Sequence, residues 1–285
     1  MNNETAKFII HQVADRIGLD INARLIKTGD GQTCECFPAD AHPNESFAVN
    51  FHLRWRSAEA VLMPGRFSAP LIQQMGKALG EGRQVFASFT QGLESKRIKI
   101  LMRVNGIEVN PGSPDSWPSA WTRLELALRT PPMVIEENDT ALQERLLLEL
   151  IIPFFGMMAA LIGVEENEPA TTGEIEGRTV QTLSTRYERK KINREACIQL
   201  KGMRCCVCGF DFAEAYGPLG VGYIEIHHLN SIASMGGEYR LNVATDLVPV
   251  CSNCHAMAHR EEPPIPVERL ATLVQERRRA ATAMK

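Results

Sequence analysis

The sequence predicts a mixed α+β protein made of two domains. Apolar residues recur at helical spacing over residues 5–18, whereas Phe47, Val49 and Phe51 alternate with polar residues as in a half-buried strand. Most cysteines and histidines of the 285-residue chain fall in its last third. These patterns indicate an N-terminal α+β domain of unassigned fold and a smaller C-terminal domain organised around metal.

The N-terminal domain is expected to span residues 1–165. Its first helix is followed by short strands over 23–38 with a Gly-Asp-Gly turn, a half-buried strand over 46–61 and a short helix over 70–80. Further predicted elements are a strand pair over 84–90 and 95–109 around Gly92, a strand over 121–129, and a long apolar helix over 140–164 kinked at Pro153. None of its motifs indicates a reaction.

Composition excludes a disordered chain, because 44% of the residues are hydrophobic and 23% are charged. The apolar stretch over 146–164 is interrupted by Glu149 and Pro153, and its uncharged part is shorter than the ~20 residues of a membrane-spanning helix. The first ten residues lack the pattern of a secretory signal. We therefore expect a soluble, cytoplasmic protein with no membrane partner.

An acidic stretch that is poor in apolar residues predicts a linker over residues 166–177. Residues 178–285 carry 15 basic and 11 acidic residues, whereas residues 1–177 carry 16 and 23. A basic helix over 186–200 leads directly into the cysteine cluster. This asymmetry favours contact of the C-terminal domain alone with a polyanion.

Two Cys-x-x-Cys pairs predict a structural zinc site in the domain over 178–285. They are formed by Cys205 with Cys208 and by Cys251 with Cys254. Each pair places two thiolates on a tight turn, and two such turns complete a tetrahedral Zn²⁺ site. Cys206 is the alternative to Cys205, and buried free cysteines are the alternative to zinc.

Histidines occur in two pairs between and beside these cysteines. A predicted strand over 223–226 leads directly into His227 and His228. A second short strand is predicted around residues 246–250, and in the helix predicted after it His255 and His259 lie four residues apart on one face. Strand, strand and helix would bring the imidazoles into a pocket for a second divalent cation. The alternative roles of these histidines are those of extra zinc ligands or of helix-capping partners.

The stretch from Arg204 to Arg260 (RCCVCGFDFAEAYGPLGVGYIEIHHLN…DLVPVCSNCHAMAHR) resembles the HNH endonucleases, also called ββα-metal nucleases. It is most similar to the branch typified by the 5-methylcytosine-specific restriction enzyme A. The resemblance extends over about residues 178–273 and says nothing about the N-terminal domain. It implies a metal-dependent DNA endonuclease of a bacterial restriction or anti-phage system.

The resemblance also implies roles for individual residues. His228 matches the general base that activates water, and His227, His255 and His259 match ligands of the catalytic cation, Mg²⁺ or another divalent ion. The central motif residue, usually asparagine, orients the base and falls at Asp246 by its spacing to the helix. Asn242 lies nearby and is the alternative for this position.

Double-stranded DNA is the expected partner, with a homodimer or a defence-system protein as a further possibility. Candidate phosphate-contacting residues precede the first cysteine pair or follow the second, and the tail adds Arg277, Arg278 and Arg279. The principal set is Arg186, Arg189, Lys190, Lys191, Arg194, Arg204 and Arg260. A zinc-stapled DNA-binding module without catalysis and an RNA-cleaving HNH nuclease are the two alternative functions.

Overall fold

The computed structural model describes residues 3–28, 31–78, 80–136, 139–163, 189–229, 241–261 and 263–283. The chain divides into two compact units, Met1–Ala196 and Cys197–Lys285, with the division inside one helix. The predicted linker over 166–177 lies outside the described residues.

The N-terminal unit is built on one antiparallel sheet with the strand order β1-β2-β3-β4-β7-β5-β6 in the described residues. The strands are β1 (Ile21–Thr28), β2 (Gly31–Pro38), β3 (Phe47–Arg54), β4 (Ser57–Pro64), β5 (Lys99–Val104), β6 (Ile107–Glu108) and β7 (Leu124–Arg129). The helices are α1 (Asn3–Ile17), α2 (Ala69–Gly76), α3 (Gly80–Ser95) and α4 (Thr140–Ile162), together with the first residues of α5 (Arg189–Lys201). The mixed α+β class is thereby confirmed.

The apolar residues that alternate along β3 lie on its buried face, as predicted. Phe47, Val49 and Phe51 are buried, and the ring of Phe47 lies 5.9 Å from the ring of Phe155 in α4. The predicted single strand over 46–61 is instead two strands, because the chain turns at Trp55 and Arg56 and β4 pairs back on β3.

Helix α4 is the core of this unit. It contacts α1 and α3 and lies on strands β3, β4 and β7. It is long and apolar enough to cross a membrane, but 78% of its most apolar window is buried within the protein. Asp139 caps its first turn by accepting a hydrogen bond from the Leu142 amide at 2.9 Å. These features are those of a buried core helix.

The strand predicted over 84–90 is wrong, because these residues lie within helix α3. Val85, Phe89 and Leu93 recur every four residues and are all buried, which is the spacing of one helix face. This short segment is rich in residues that favour strands, so its helical spacing was not recognised from the sequence. The strand predicted to start at residue 95 begins at Lys99, and β5 and β6 form a hairpin through Asn105 and Gly106.

The C-terminal unit is a small α+β arrangement that continues from the end of α5. Its elements are α6 (Phe212–Tyr216), β8 (Glu225–His228), α7 (Val243–Asp246), β9 (Leu247–Val250), α8 (Ser252–Ala258) and α9 (Val267–Ala283). Strands β8 and β9 pair antiparallel. Its apolar core contains Val207, Val250 and Leu270 and includes buried cysteine side chains. The predicted strand, strand and helix are therefore present.

Gly156→Val tests the close packing of α3 on α4. A Cβ at Gly156 would overlap the ring of Phe89, so the added side chain should lower the free energy of unfolding by about 1–3 kcal/mol. Ala141→Val on the exposed side of α4 is the matched control, and its helix-propensity cost is only about 0.6 kcal/mol. Urea unfolding followed by circular dichroism measures both. Equal effects of the two substitutions would contradict this packing.

Candidate metal centres

The four predicted thiolate ligands converge in the C-terminal unit. The Sγ atoms of Cys205, Cys208, Cys251 and Cys254 all lie within 4.8 Å of one another. This four-cysteine cluster has the residue types and the spacing of a structural zinc site. Cys206, the alternative ligand, is exposed and lies outside the cluster.

Backbone hydrogen bonds form the two turns that carry the thiolates. The Cys205 amide donates to the Phe210 carbonyl at 2.9 Å, and Gly209 donates to the Cys205 carbonyl at 2.8 Å. Gly209 has φ +75°, a conformation that favours glycine, so it closes the first turn. Cys251 is the N-cap residue of α8, so the second turn is also the start of that helix. The Cys206 amide joins the first turn to β9 by donating to the Pro249 carbonyl at 3.0 Å.

Two of the four thiols, those of Cys251 and Cys254, are poor thiolates without a cation, whereas at Cys205 the effect of burial is outweighed by backbone hydrogen bonds, which lower the pKa. Burial raises the pKa of the Cys251 thiol, and burial together with hydrogen bonding to Cys251 raises that of Cys254. A divalent cation stabilises the deprotonated forms, so binding and deprotonation are coupled. This donor set fits Zn²⁺.

Three histidines form a second cluster. His227 comes from β8, His255 from α8 and His259 from the residue that ends α8, and their ring centroids are 5.0–5.2 Å apart. One nitrogen of each imidazole lies within 4.8 Å of the others. The trihistidine cluster therefore offers three nitrogen ligands for a cation.

The two histidines of β8 differ in their exposure to solvent. His227 is 4% exposed, whereas the adjacent His228 is exposed, because successive residues of a strand face opposite sides. Burial and then the neighbouring imidazoles lower the pKa of His227 to about 4. His227 is therefore a neutral nitrogen donor at neutral pH, and His228 lies on the solvent side of the same strand.

Glu225 orients one of the three ligands. Its Oε2 lies 2.5 Å from His255 Nδ1, and hydrogen bonds from Ser252 and then from His255 lower the pKa of its carboxyl group. A carboxylate on Nδ1 holds the proton there and leaves Nε2 for the cation. Glu225 was not predicted as a site residue, although its position two residues before His227 places both on one face of β8.

Asp246 and Asn242 both stabilise the turn before β9. The buried Asp246 carboxylate accepts hydrogen bonds from the Asn242 amide at 2.7 Å and the Thr245 hydroxyl at 2.8 Å. Asn242 caps the same turn by accepting from the Ala244 amide at 3.0 Å. The Asp246 carbonyl also accepts from the amide of Leu229, the residue after His228, at 2.8 Å. Asp246 thus anchors the end of β8 that carries His228.

The predicted DNA-contacting cations have different surroundings. Arg186 lies outside the described residues, and Arg189 and Lys190 begin α5, where their side chains are not described. Lys191 and Arg194 are half-buried in the N-terminal unit, and Arg260 is exposed directly after His259.

Arg204 is bound to acidic side chains of its own unit. Its guanidinium bonds to Glu214 and the Gly209 carbonyl and lies 3.6 Å from Asp211. The hydrogen bond with Glu214 raises the pKa of Arg204. In the tail, Arg278 donates to the Cys208 carbonyl at 2.8 Å. These two arginines therefore support the first cysteine turn.

Comparison of the chain with protein-family models, curated proteins and solved structures finds no match. The residues and their geometry alone define the site as two neighbouring candidate metal centres, one of four cysteines and one of three histidines.

Cys251→Ser is expected to remove the structural metal. Loss of one thiolate opens the four-cysteine cluster and releases the start of α8, so zinc content should fall well below one ion per chain and the C-terminal unit should lose its hydrogen-exchange protection. Cys206→Ser is the matched control, since Cys206 is outside the cluster. Zinc release to a chromogenic chelator and exchange mass spectrometry measure both. Full zinc content in Cys251→Ser would contradict the assignment.

Glu225→Gln is expected to weaken cation binding at the trihistidine cluster by roughly 10- to 100-fold. The amide cannot hold the His255 proton as the carboxylate does, so the imidazole loses its fixed orientation. Titration of the zinc-loaded protein with Ni²⁺ in a calorimeter measures this affinity. Glu276→Gln, at an exposed position of α9, provides the control for removal of a charge. Equal Ni²⁺ affinities in the two variants would exclude the orienting role of Glu225.

Proposed function

We propose that the protein is a metal-dependent endonuclease of the HNH type that hydrolyses phosphodiester bonds of DNA. The observation that carries the proposal is the trihistidine cluster beside an exposed fourth imidazole, that of His228, on the same short strand. A purely structural metal site has no use for a fourth histidine directed to solvent. The four-cysteine cluster supports the unit in which this arrangement is formed.

His228 is the proposed general base. A neutral imidazole accepts a proton near pH 7, and exposure leaves its ring accessible to water and to a polymeric substrate. The hydrogen bond from Leu229 to the Asp246 carbonyl and the pairing of His228 with Leu247 hold the backbone on both sides of the base. Asp246 therefore acts as a positioning residue for His228.

The proposed reaction is one in-line displacement at phosphorus. His228 removes a proton from water, the water oxygen bonds to phosphorus, and the bond from phosphorus to the 3′ oxygen breaks, with a proton from solvent completing the leaving hydroxyl group. A divalent cation at the trihistidine cluster supplies charge neutralisation for the phosphate and the leaving oxygen when it is bound. Glu225 fixes His255, and His227 contributes a ligand that stays neutral.

The N-terminal unit is proposed to select the target or to restrain cleavage. Residues 1–177 carry more acidic than basic residues, 23 against 16, which disfavours DNA binding by this part of the unit and suits a regulatory or partner-binding role. A function in bacterial restriction or anti-phage defence follows from the sequence resemblance. One such site cuts one strand, so a double-strand break requires two copies.

His228→Ala is expected to lower nicking of supercoiled plasmid by at least about 100-fold. Removal of the base takes away the proton acceptor and leaves both metal clusters intact. Conversion to open circles is followed on agarose gels with Mg²⁺ or Mn²⁺, using plain and base-modified plasmid. Zinc content and Ni²⁺ affinity of the variant should equal those of the wild type, which separates loss of the base from misfolding.

His52→Ala provides the matched control, because His52 lies in β3 of the N-terminal unit and belongs to neither cluster. It is expected to retain the nicking activity of the wild type in a folded protein. If wild type and His228→Ala bind plasmid and neither cuts it, the non-catalytic DNA-binding module is the correct function. Cleavage of RNA alone would identify the RNA-cleaving alternative.

A further inference from the structure

An exposed apolar surface adjoins the trihistidine cluster. Within the eight residues from Tyr216 to Tyr223, four large apolar side chains are exposed. Their exposed fractions are 59% for Tyr216, 87% for Leu219, 68% for Val221 and 50% for Tyr223. Residues 215–224 carry no charged side chain. We refer to this segment, residues 216–223, as the apolar loop.

The apolar loop has a defined structure. A Cβ at Gly220 would overlap the Phe212 carbonyl, so the loop lies directly on the backbone of α6. The Phe212 ring contacts the rings of Tyr216 and Tyr223, with centroids 6.0 Å and 4.7 Å away. Gly217 and Gly222 adopt φ +60° and +80°, conformations that favour glycine. Leu219 and Val221 are therefore held outward by a supported turn.

Hydrogen bonds connect this loop to the trihistidine cluster. The Tyr223 hydroxyl lies 3.4 Å from Glu225 Oε1 and 3.4 Å from Ser252 Oγ. Glu225 in turn bonds to His255 at 2.5 Å. The last residue of the apolar loop is thus two side-chain contacts away from His255 of the proposed cation site. Successive nucleotides of one strand rise by about 3.4 Å, so residues this close to the cation site can reach the nucleotides next to the scissile phosphate.

We propose that the apolar loop contacts bases and deoxyribose next to the scissile phosphate, with Leu219 and Val221 as its principal contacts. This inference rests on the proposed nuclease function and assigns a substrate-binding element to it. Apolar side chains that enter a groove bury their surface against sugars and base edges. No charged side chain lies within the loop itself, so contact with its apolar side chains does not require a charge to be buried. DNA is the favoured occupant because the bond to be cut must lie at the adjoining site.

Leu219→Ser with Val221→Ser tests this in the full-length chain, on a His228→Ala background that leaves DNA uncut. The dissociation constant for a fluorescent duplex should rise at least roughly tenfold, because two apolar side chains lose their buried contact. The slope of log Kd against log salt should stay unchanged, because no phosphate contact is removed. Leu273→Ser, at an exposed position of α9, should leave the affinity of the His228→Ala parent unaltered.

A second measurement does not depend on these variants. Duplexes that contain 5-iodouracil cross-link to aromatic side chains on irradiation, so the peptide carrying Tyr216 should be recovered with bound nucleotide. Unchanged affinity in the double serine variant together with no such cross-link would overturn the proposal. Loss of self-association with unchanged DNA affinity would show that a second copy occupies the loop, and would overturn it equally. If the wild type neither binds nor nicks DNA, the nuclease function itself fails.

Discussion

The four-cysteine cluster is the constraint on which the rest of the C-terminal unit depends. Its second pair of thiolates begins α8, and the same helix carries His255 and ends at His259. A cation that binds the cysteines therefore also sets the position of two of the three imidazoles. The apolar core of this small unit includes cysteine side chains, so a bound metal adds cross-links where the area of buried apolar surface is limited.

Successive side chains of β8 point to opposite faces, so residues with different proposed roles lie on different sides of this strand. Glu225 and His227 share the face of β8 that meets α8, whereas His228 lies on the other face. One face thus holds a candidate cation ligand and the carboxylate that bonds to another, and the opposite face carries an exposed imidazole. A shift of β8 by one residue against β9 would exchange these faces, so the register of His227 with Val248 matters for the site.

In the N-terminal unit, some local sequence patterns predicted the correct element and others predicted the wrong one. The alternation of β3 and the long apolar period of α4 were recognisable because each extends over many residues and one face or the whole element is buried. Helix α3 was mistaken for a strand because Phe86 and Phe89 are typical of strands, and only packing against α4 shows which period applies. Its interior Gly92 gave the false signal of a turn.

The sequence by itself determined the mixed α+β class, the two cysteine pairs and the two histidine pairs, because these follow from residue type and short spacings. It also distinguished Cys205 from Cys206 by the Cys-x-x-Cys spacing, in agreement with the cluster in the structure. Only the tertiary structure decided that Glu225 bonds to His255, 30 residues away, and that Arg204 is bound to Glu214. It likewise showed that both Asp246 and Asn242 stabilise one turn. The physical reason is that ligand spacing is local along the chain, whereas the partner of a charged side chain is selected by how strands and helices pack.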